Sequence, residues 1–264
     1  MDNRNPWALN APIDSFFFDC DGTLSLIEGI NVLATRNGVA KQVHQITARC
    51  MGKTGMTPDD YRQRLLHVQP TLKQVEELAE CYKQHIAPGA QELIQLLHGL
   101  HKKIYIISAG IKTAVVPFAQ TLGIPASHVL AVDVYFDDAG NYQGFDEQSN
   151  MIQGNGKTVE IASVLKPDER SLLVGDGVSD WEARDAVTRF IGFSGLSPKE
   201  WVKNHANFYI TSTSFYPIIA LGLTPDELKQ LSSQDYAYYE QGLTDIYNSV
   251  VLIKGNDHVH YSSS

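Results

Sequence analysis

Four short apolar runs, Ser15–Phe18, Lys103–Ile107, Leu172–Val174 and Arg189–Phe193, are spaced by segments of helical periodicity. Runs of this kind between helical spacers predict parallel strands buried on both faces. A further run, Phe208–Thr211, predicts an edge strand. Between the first two runs lies a long polar and amphipathic stretch, residues 30–84, with helix-like segments at Thr57–His67 and Thr71–His85 and no strand signal. It predicts a helical cap inserted after the first strand. Pro88-Gly89 marks the return to the core. Leu93, Leu96, Leu97 and Leu100 then form the stripe of a helix, Ala90–Leu100, lying on a sheet. Val129–Tyr135 and Asn141–Phe145, joined through Asp137-Asp138-Ala139-Gly140, predict a hairpin beside the core. Beyond about Leu221 the chain turns tyrosine-rich and polar, with one predicted helix, Asp235–Val250.

The expected architecture is therefore α/β, a parallel sheet flanked by helices. Residues 10–29 and 86–221 form the core, 30–85 the cap, and 222–264 a C-terminal extension to which the sequence assigns no role. A chain of 264 residues holds one sizeable core and a small appended unit. The net charge of −9 argues against nucleic acid as a partner, because a phosphate backbone needs a basic face. It leaves room for a small phosphorylated ligand held by a few local donors. The apolar stretches fall far short of a membrane span, and Met1–Asn10 lacks the basic-then-apolar order of a secretory leader. Three cysteines, Cys20, Cys50 and Cys81, follow no metal-ligand spacing and read as reduced thiols, so a cytoplasmic protein is expected. Oligomeric state leaves no mark in the sequence.

Chemistry concentrates at predicted strand ends. Asp19-Cys20-Asp21-Gly22-Thr23 follows Phe16-Phe17-Phe18 directly. Residues two apart on extended chain point to one side, so the two carboxylates converge there. One carboxylate can attack phosphorus while the other protonates a leaving oxygen. A calcium loop needs a third oxygen ligand before its glycine, whereas Gly22 follows Asp21 at once. Gly175-Asp176-Gly177-Val178-Ser179-Asp180 follows the strand Leu172–Val174, and its acids are hard oxygen donors of the kind magnesium accepts. Ser179 and Glu182 also fit a capping box that would open a helix. Ser108 ends a third strand, as an anion-holding hydroxyl or a plain N-cap. Lys157, in Gly154-Asn155-Gly156-Lys157-Thr158, is either a phosphate-holding cation or a solvated surface residue.

Gly156-Lys157-Thr158 lacks the glycine five residues earlier that a nucleotide P-loop requires, Met151 standing there. Gly52-Lys53-Thr54 fails likewise at Thr47. Neither Cys20 nor Cys50 has an arginine six residues on, and the nine histidines follow no metal pattern.

Taken in order, Asp19-x-Asp21-Gly22-Thr23, Ser108, Lys157 and Gly175-Asp176-Gly177-x-x-Asp180 resemble the four motifs of the haloacid dehalogenase (HAD) superfamily of phosphatases. The resemblance runs from about Phe16 to Thr211. It implies a Rossmann-like core with Asp19 as nucleophile and Asp21 as general acid/base. It implies Ser108, Ala109 and Lys157 as phosphate holders. Magnesium would be held by Asp19, the main-chain carbonyl of Asp21 and Asp176, with Gly177 and Asp180 in support. A narrower resemblance is to the phosphoserine phosphatases. There Glu28, in Glu28-Gly29-Ile30, matches the binder of the substrate amine, and Arg64 the binder of its carboxylate; Met51-Gly52 match a substrate-contact pair. An acid for an ammonium and a guanidinium for a carboxylate is sound recognition of a zwitterion. Read singly, Glu28 is also a solvated residue at a cap entrance, and Arg64 a surface partner of Asp60 one helical turn earlier. Thr57 stands where that family places an aromatic residue, and Ala109 replaces its glycine.

The expected activity is hydrolysis of a small phosphorylated metabolite, phosphoserine being favoured. The same motifs serve a phosphatase for another small phosphoester or a phosphotransferase. A catalytically silent phosphometabolite binder is the reading from another class.

Overall fold

The computed structural model describes residues 5–50, 57–196 and 198–255. Its centre is a seven-stranded sheet built from β1 (Ser15–Phe18), β2 (Lys103–Ile111), β3 (Val129–Val132), β6 (Ser171–Gly175), β7 (Arg189–Phe193), β8 (Phe208–Ile210) and β9 (Val251–Ile253). A separate hairpin pairs β4 (Val134–Phe136) with β5 (Tyr142–Phe145). The sheet order is β3-β2-β1-β6-β7-β8-β9, every neighbouring pair parallel except β8 and β9. The strand Ser15-Phe16-Phe17-Phe18 is buried throughout, as is all of β6 and β7. That explains why these strands read as continuous apolar runs: helices cover both faces.

The chain leaves β1 toward β2 on one side and later places β6 on the other, so the sheet's direction of growth reverses at β1. Phe18 lies level with Ile106 and Val174. The carboxyl ends of β1 and β6 are thus nearly in step, while β2 runs on past them to Ile111, and the crevice at these ends is where open α/β sheets bind ligands.

Four helices, α1 (Gly29–Arg36), α2 (Ala40–Cys50), α3 (Pro58–Val68) and α4 (Leu72–Gln84), stand between β1 and α5 (Ala90–Gly99). Thr57 caps α3 and Thr71 caps α4, each in a reciprocal box, with Asp60 and Gln74 respectively. Such boxes satisfy two orphan N–H groups and fix where a helix starts. Hairpin and helices meet directly. The Leu72 N–H donates to the Gly140 carbonyl at 2.9 Å, Arg62 pairs with Glu147 at 3.1 Å, and the Tyr61 and Phe145 rings lie 5.1 Å apart.

The remaining helices are α6 (Lys112–Thr121), α7 (Gly156–Val164), α8 (Val178–Glu182), α9 (Glu200–His205), α10 (Tyr216–Gly222), α11 (Pro225–Leu228) and α12 (Ser233–Tyr247). Three expectations are corrected. The run Val129–Tyr135 is split at Asp133, its first half joining the main sheet as β3 and only its second half forming the hairpin. Phe208–Thr211 is not the edge of the sheet, because β9 pairs outside it and contributes residues from the C-terminal extension. Ser179 and Glu182 do not open a helix, since α8 starts at Val178 and the Gly177 N–H donates instead to Asp180 Oδ2 at 2.9 Å. Met51 and Gly52 lie outside the described residues.

Helix α12 packs against α10 so closely that a Cβ added at Gly242 would stand 2.2 Å from the Tyr216 carbonyl oxygen. No rotamer relieves a backbone clash. Gly242→Ala should therefore cost about 1–3 kcal/mol of stability, the range for overpacking. A urea titration that leaves the midpoint unchanged would contradict this packing.

Candidate active site

The end of β1 is shaped by Gly22, whose φ of +73° suits glycine. A Cβ there would also lie 2.9 Å from Asp176 Oδ2, so the turn and the second acidic loop depend on one missing side chain. This turn aims Asp19 and Asp21 at different partners. Asp19 is nearly buried, and the Lys157 ammonium stands 3.1 Å from its Oδ1. Asp21 faces the helical segment: its Oδ1 accepts from the Gly29 N–H at 2.5 Å and the Tyr82 hydroxyl at 2.9 Å, and its Oδ2 from Ser108 Oγ at 3.3 Å. Gly29 opens α1, and a Cβ there would sit 2.2 Å from the Tyr82 hydroxyl oxygen, so any larger residue displaces that hydroxyl from Asp21.

Ser108 lies within β2, where the pairing register with β3 shifts between Ile107 and Ile111. It is not the N-cap of α6; Ile111 holds that position without a side-chain bond, while Ser108 Oγ accepts from the Gly110 N–H at 2.9 Å. Lys157, in the first turn of α7, is buried, and it donates to Asp180 Oδ1 at 2.6 Å. The solvated-surface alternative for this lysine is thereby removed. Asp176 follows β6, with Thr23 Oγ1 at 3.4 Å from one oxygen and Lys199 Nζ at 2.5 Å from the other.

Asp19, Asp21, Tyr82, Ser108, Lys157, Asp176 and Lys199 line one cleft of about 190 Å³, together with Glu28, Arg64 and Tyr61 from the helical segment and Ala109 and Ser179 from the sheet side, while the fully buried Asp180 stands behind Lys157 outside that lining. Arg64 is buried to 7 % exposure, its guanidinium 5.6 Å from the Tyr61 ring centroid, within cation–π range. The Asp60 carboxylate is engaged in the Thr57 capping box. Sequence reasoning brought together Asp19, Asp21, Ser108, Ala109, Lys157, Asp176, Gly177, Glu28 and Arg64, and all of them line this cleft. It missed Tyr82 and Lys199. Lys199 carried a usable signal, since it follows a predicted strand, Arg189–Phe193, that neighbours the one ending at Gly175.

The electrostatics are those of crowded acids with too little water. Burial, foremost, pushes the Asp19 carboxyl well up; Lys157 opposes this, while Asp180, Asp176 and Asp21 add to it. Burial likewise raises Asp21, against its bonds to Gly29, Tyr82 and Ser108, and raises Asp176 against Lys199. Glu28 is pushed up to about 7, by burial first and then by the charges of Asp21 and Asp176. Burial also raises the Cys20 thiol, which leaves it a poor nucleophile between the two acids.

Oxygens of Asp19, Asp176 and Asp180 all lie within 4.8 Å of one another. Hard carboxylate donors gathered this tightly, beside acids raised first by burial and then by neighbouring negative charge, fit a divalent cation such as magnesium. Asp180 is the least available of the three, because its oxygens are engaged by Lys157 and by the Gly177 N–H. The Asp21 carboxylate is turned instead toward Tyr82 and Gly29.

Residues 16–183 match the model of the haloacid dehalogenase-like hydrolases. Phosphoserine phosphatase of Mus musculus is 34 % identical over 200 residues, which cover 75 % of this chain and 89 % of that one. A substrate-bound phosphoserine phosphatase complex superposes with a TM-score of 0.68 at 22 % identity, covering 80 % of this chain and 99 % of the other. A phospho-aspartyl intermediate analogue of phosphoserine phosphatase gives 0.66 at 22 % identity, with the same coverage. No helix among the described residues is long and apolar enough to cross a membrane.

The raised Glu28 has a consequence for stability. The unfolded carboxyl ionises near 4.5. The neutral form therefore supports the fold fully below that pH, and the support is lost as pH rises toward about 7. Glu28→Gln keeps a neutral side chain throughout. Its melting temperature should exceed the wild type's at pH 8 by about 6–12 °C, since a rise from 4.5 to about 7 corresponds to ~3 kcal/mol and each kcal/mol gives a domain of this size about 2–4 °C, and match it near pH 4.5. Equal melting at both pH values would show that Glu28 is charged at no cost.

Proposed function

The chain belongs to the haloacid dehalogenase-like hydrolases, and on that premise we propose that it hydrolyses O-phosphoserine to serine and phosphate through an aspartyl-phosphate on Asp19. The observation that carries this reading is one cleft in which a carboxylate pair and a buried lysine face Glu28 and Arg64. The first set is equipped for phosphoryl chemistry, the second for a zwitterion. The 34 % identity to a phosphoserine phosphatase supports the same substrate.

In the first half-reaction an Asp19 carboxylate oxygen attacks phosphorus in line, and the phosphorus–serine oxygen bond breaks. Asp21 gives its proton to the departing serine oxygen. Burial suits it to this, since a raised carboxyl retains a proton at a pH where an exposed one has lost it. The hydrogen bonds from Gly29 and Tyr82 fix its orientation. In the second half-reaction Asp21, now ionised, takes a proton from water, whose oxygen attacks phosphorus and releases Asp19. Lys157 and the Ser108 hydroxyl hold the phosphate oxygens, and Lys157 offsets charge as the anionic nucleophile meets an anionic ester. The Glu28 carboxylate receives the substrate ammonium. The Arg64 guanidinium receives the substrate carboxylate, held in its rotamer by Tyr61.

Magnesium fits the donor set, and we assign it to Asp19, Asp176 and the Asp21 carbonyl, with Asp180 and Gly177 supporting the loop. When bound it supplies further neutralisation of the charge between nucleophile and phosphate.

The direct experiment is phosphate release from a panel of small phosphoesters with and without magnesium. Strong, magnesium-dependent preference for phosphoserine is expected. No release from any ester would overturn the hydrolase reading, and release from other esters with phosphoserine poor would discard only the substrate. Asp19→Asn should abolish turnover while its circular dichroism matches the wild type, because an amide is no nucleophile here. Arg64→Ala should raise KM for phosphoserine by about 10–100-fold, the worth of a charge-assisted hydrogen bond, yet change KM for an aryl phosphate little. Equal effects on both esters would remove Arg64 from carboxylate recognition.

A further inference from the structure

Lys199 belongs to no part of the chemistry above, yet it reaches the centre of the site. It precedes α9, and its ammonium donates to Asp176 Oδ2 at 2.5 Å. The loop that delivers it is pinned against the catalytic turn: a Cβ at Gly195 would lie 2.2 Å from the Gly22 carbonyl oxygen and 3.4 Å from Asp176 Cβ. Asp176 itself is almost fully buried, whereas the Lys199 side chain retains 24 % exposure along the cleft. One partner of this ion pair is thus fixed and the other has somewhere to go.

We propose that Lys199 is a displaceable counter-ion, occupying Asp176 in the metal-free protein and yielding that carboxylate oxygen when a divalent cation binds. The proposal rests on the magnesium assignment to Asp176. A primary ammonium and a divalent ion drawn to the same carboxylate oxygen repel each other, and at such short range in a buried site the repulsion is poorly screened. The other Asp176 oxygen accepts from Thr23 Oγ1 at 3.4 Å. Lys199 and Glu28 line the same cleft, and the Glu28 charge favours the Lys199 ammonium after that of Asp176. Without the lysine, the metal-free protein would leave a buried carboxylate beside Asp19 and Asp180 with one cation, Lys157, among three acids. Lys199 therefore balances Asp176 whenever no ion is bound and weakens the hold of a metal on it, so that the ion is bound exchangeably.

The test is a magnesium titration of the full chain by isothermal calorimetry without substrate, on the wild type, Lys199→Met and Lys199→Arg. Lys199→Met should bind magnesium at least about fivefold more tightly, a coupling of ordinary size, while Lys199→Arg, which keeps the charge, stays near the wild type. Equal or weaker binding by Lys199→Met overturns the proposal but leaves the magnesium assignment standing. A wild type that binds no magnesium overturns both. A second measurement needs no variant: mass-spectrometric footprinting of lysine acylation in the wild type. Magnesium should raise modification at Lys199 severalfold as the ammonium is released, and unchanged or slower modification contradicts displacement.

Discussion

Five carboxylates converging on one poorly hydrated cleft is the constraint on which the remainder of the structure rests. Asp19, Asp21, Glu28, Asp176 and Asp180 all border or buttress the space at the ends of β1 and β6. Left to themselves they would protonate or force the strands apart. Each neighbouring feature answers part of that problem. Lys157 bridges Asp19 and Asp180, Lys199 serves Asp176, and N–H and hydroxyl donors bind Asp21. Even so, Asp19, Asp21, Glu28 and Asp176 all remain raised. The site is built with a deficit of positive charge, which is the condition under which a cation and a cationic substrate group bind well.

The deficit is sustained because the supporting parts come from distant segments. The sheet contributes Asp19 and Asp176 from the ends of two strands in register, so their spacing is set by backbone hydrogen bonding. The helical segment contributes Tyr82, Arg64 and Glu28, which touch the same space from the opposite side. Its position is held by the β4–β5 hairpin through the Leu72–Gly140 bond and the Arg62–Glu147 pair. The pair is exposed and weak alone. Joined to a buried ring contact and a backbone hydrogen bond, it acts as one contact patch between the two elements.

How legible the molecule was in its sequence depended on the range of the determining forces. Asp19, Asp21, Lys157 and Asp176 were visible because each sits next to an apolar strand or a glycine turn, and a strand end is a local signal. The α3 and α4 starts were visible for the same reason, Thr57 and Thr71 being caps. Lys199 had only the weaker signal of following a predicted strand, since its meaning comes from the pairing of that strand with the one before Asp176. Tyr82 was hidden because on a helix with apolar periodicity it reads as packing, and only its hydroxyl's contact with Asp21 gives it another role. The three-residue β9 has no signal of its own; pairing with β8 creates it. Ser179–Glu182 had the letters of a capping box, but the neighbouring Asp180 reached the free Gly177 N–H first.

Electrostatic crowding also links recognition to chemistry. Glu28 and Asp21 raise each other's cost of ionisation, as Asp21 is the second-largest cause of the Glu28 shift. An ammonium placed against Glu28 holds that residue as a carboxylate. The negative charge is then locally neutralised, so it no longer weighs on Asp21, which on the proposed function gives up a proton and later takes one from water. A phosphoester without an ammonium leaves Glu28 either protonated, as a hydroxyl donor with no matching acceptor on the ligand, or charged and uncompensated beside the reacting acids. On the proposed function, the amine of the substrate is thus more than a handle for affinity. It completes the charge balance in which the acid pair operates, and specificity and turnover are set by the same few ångströms of buried carboxylate.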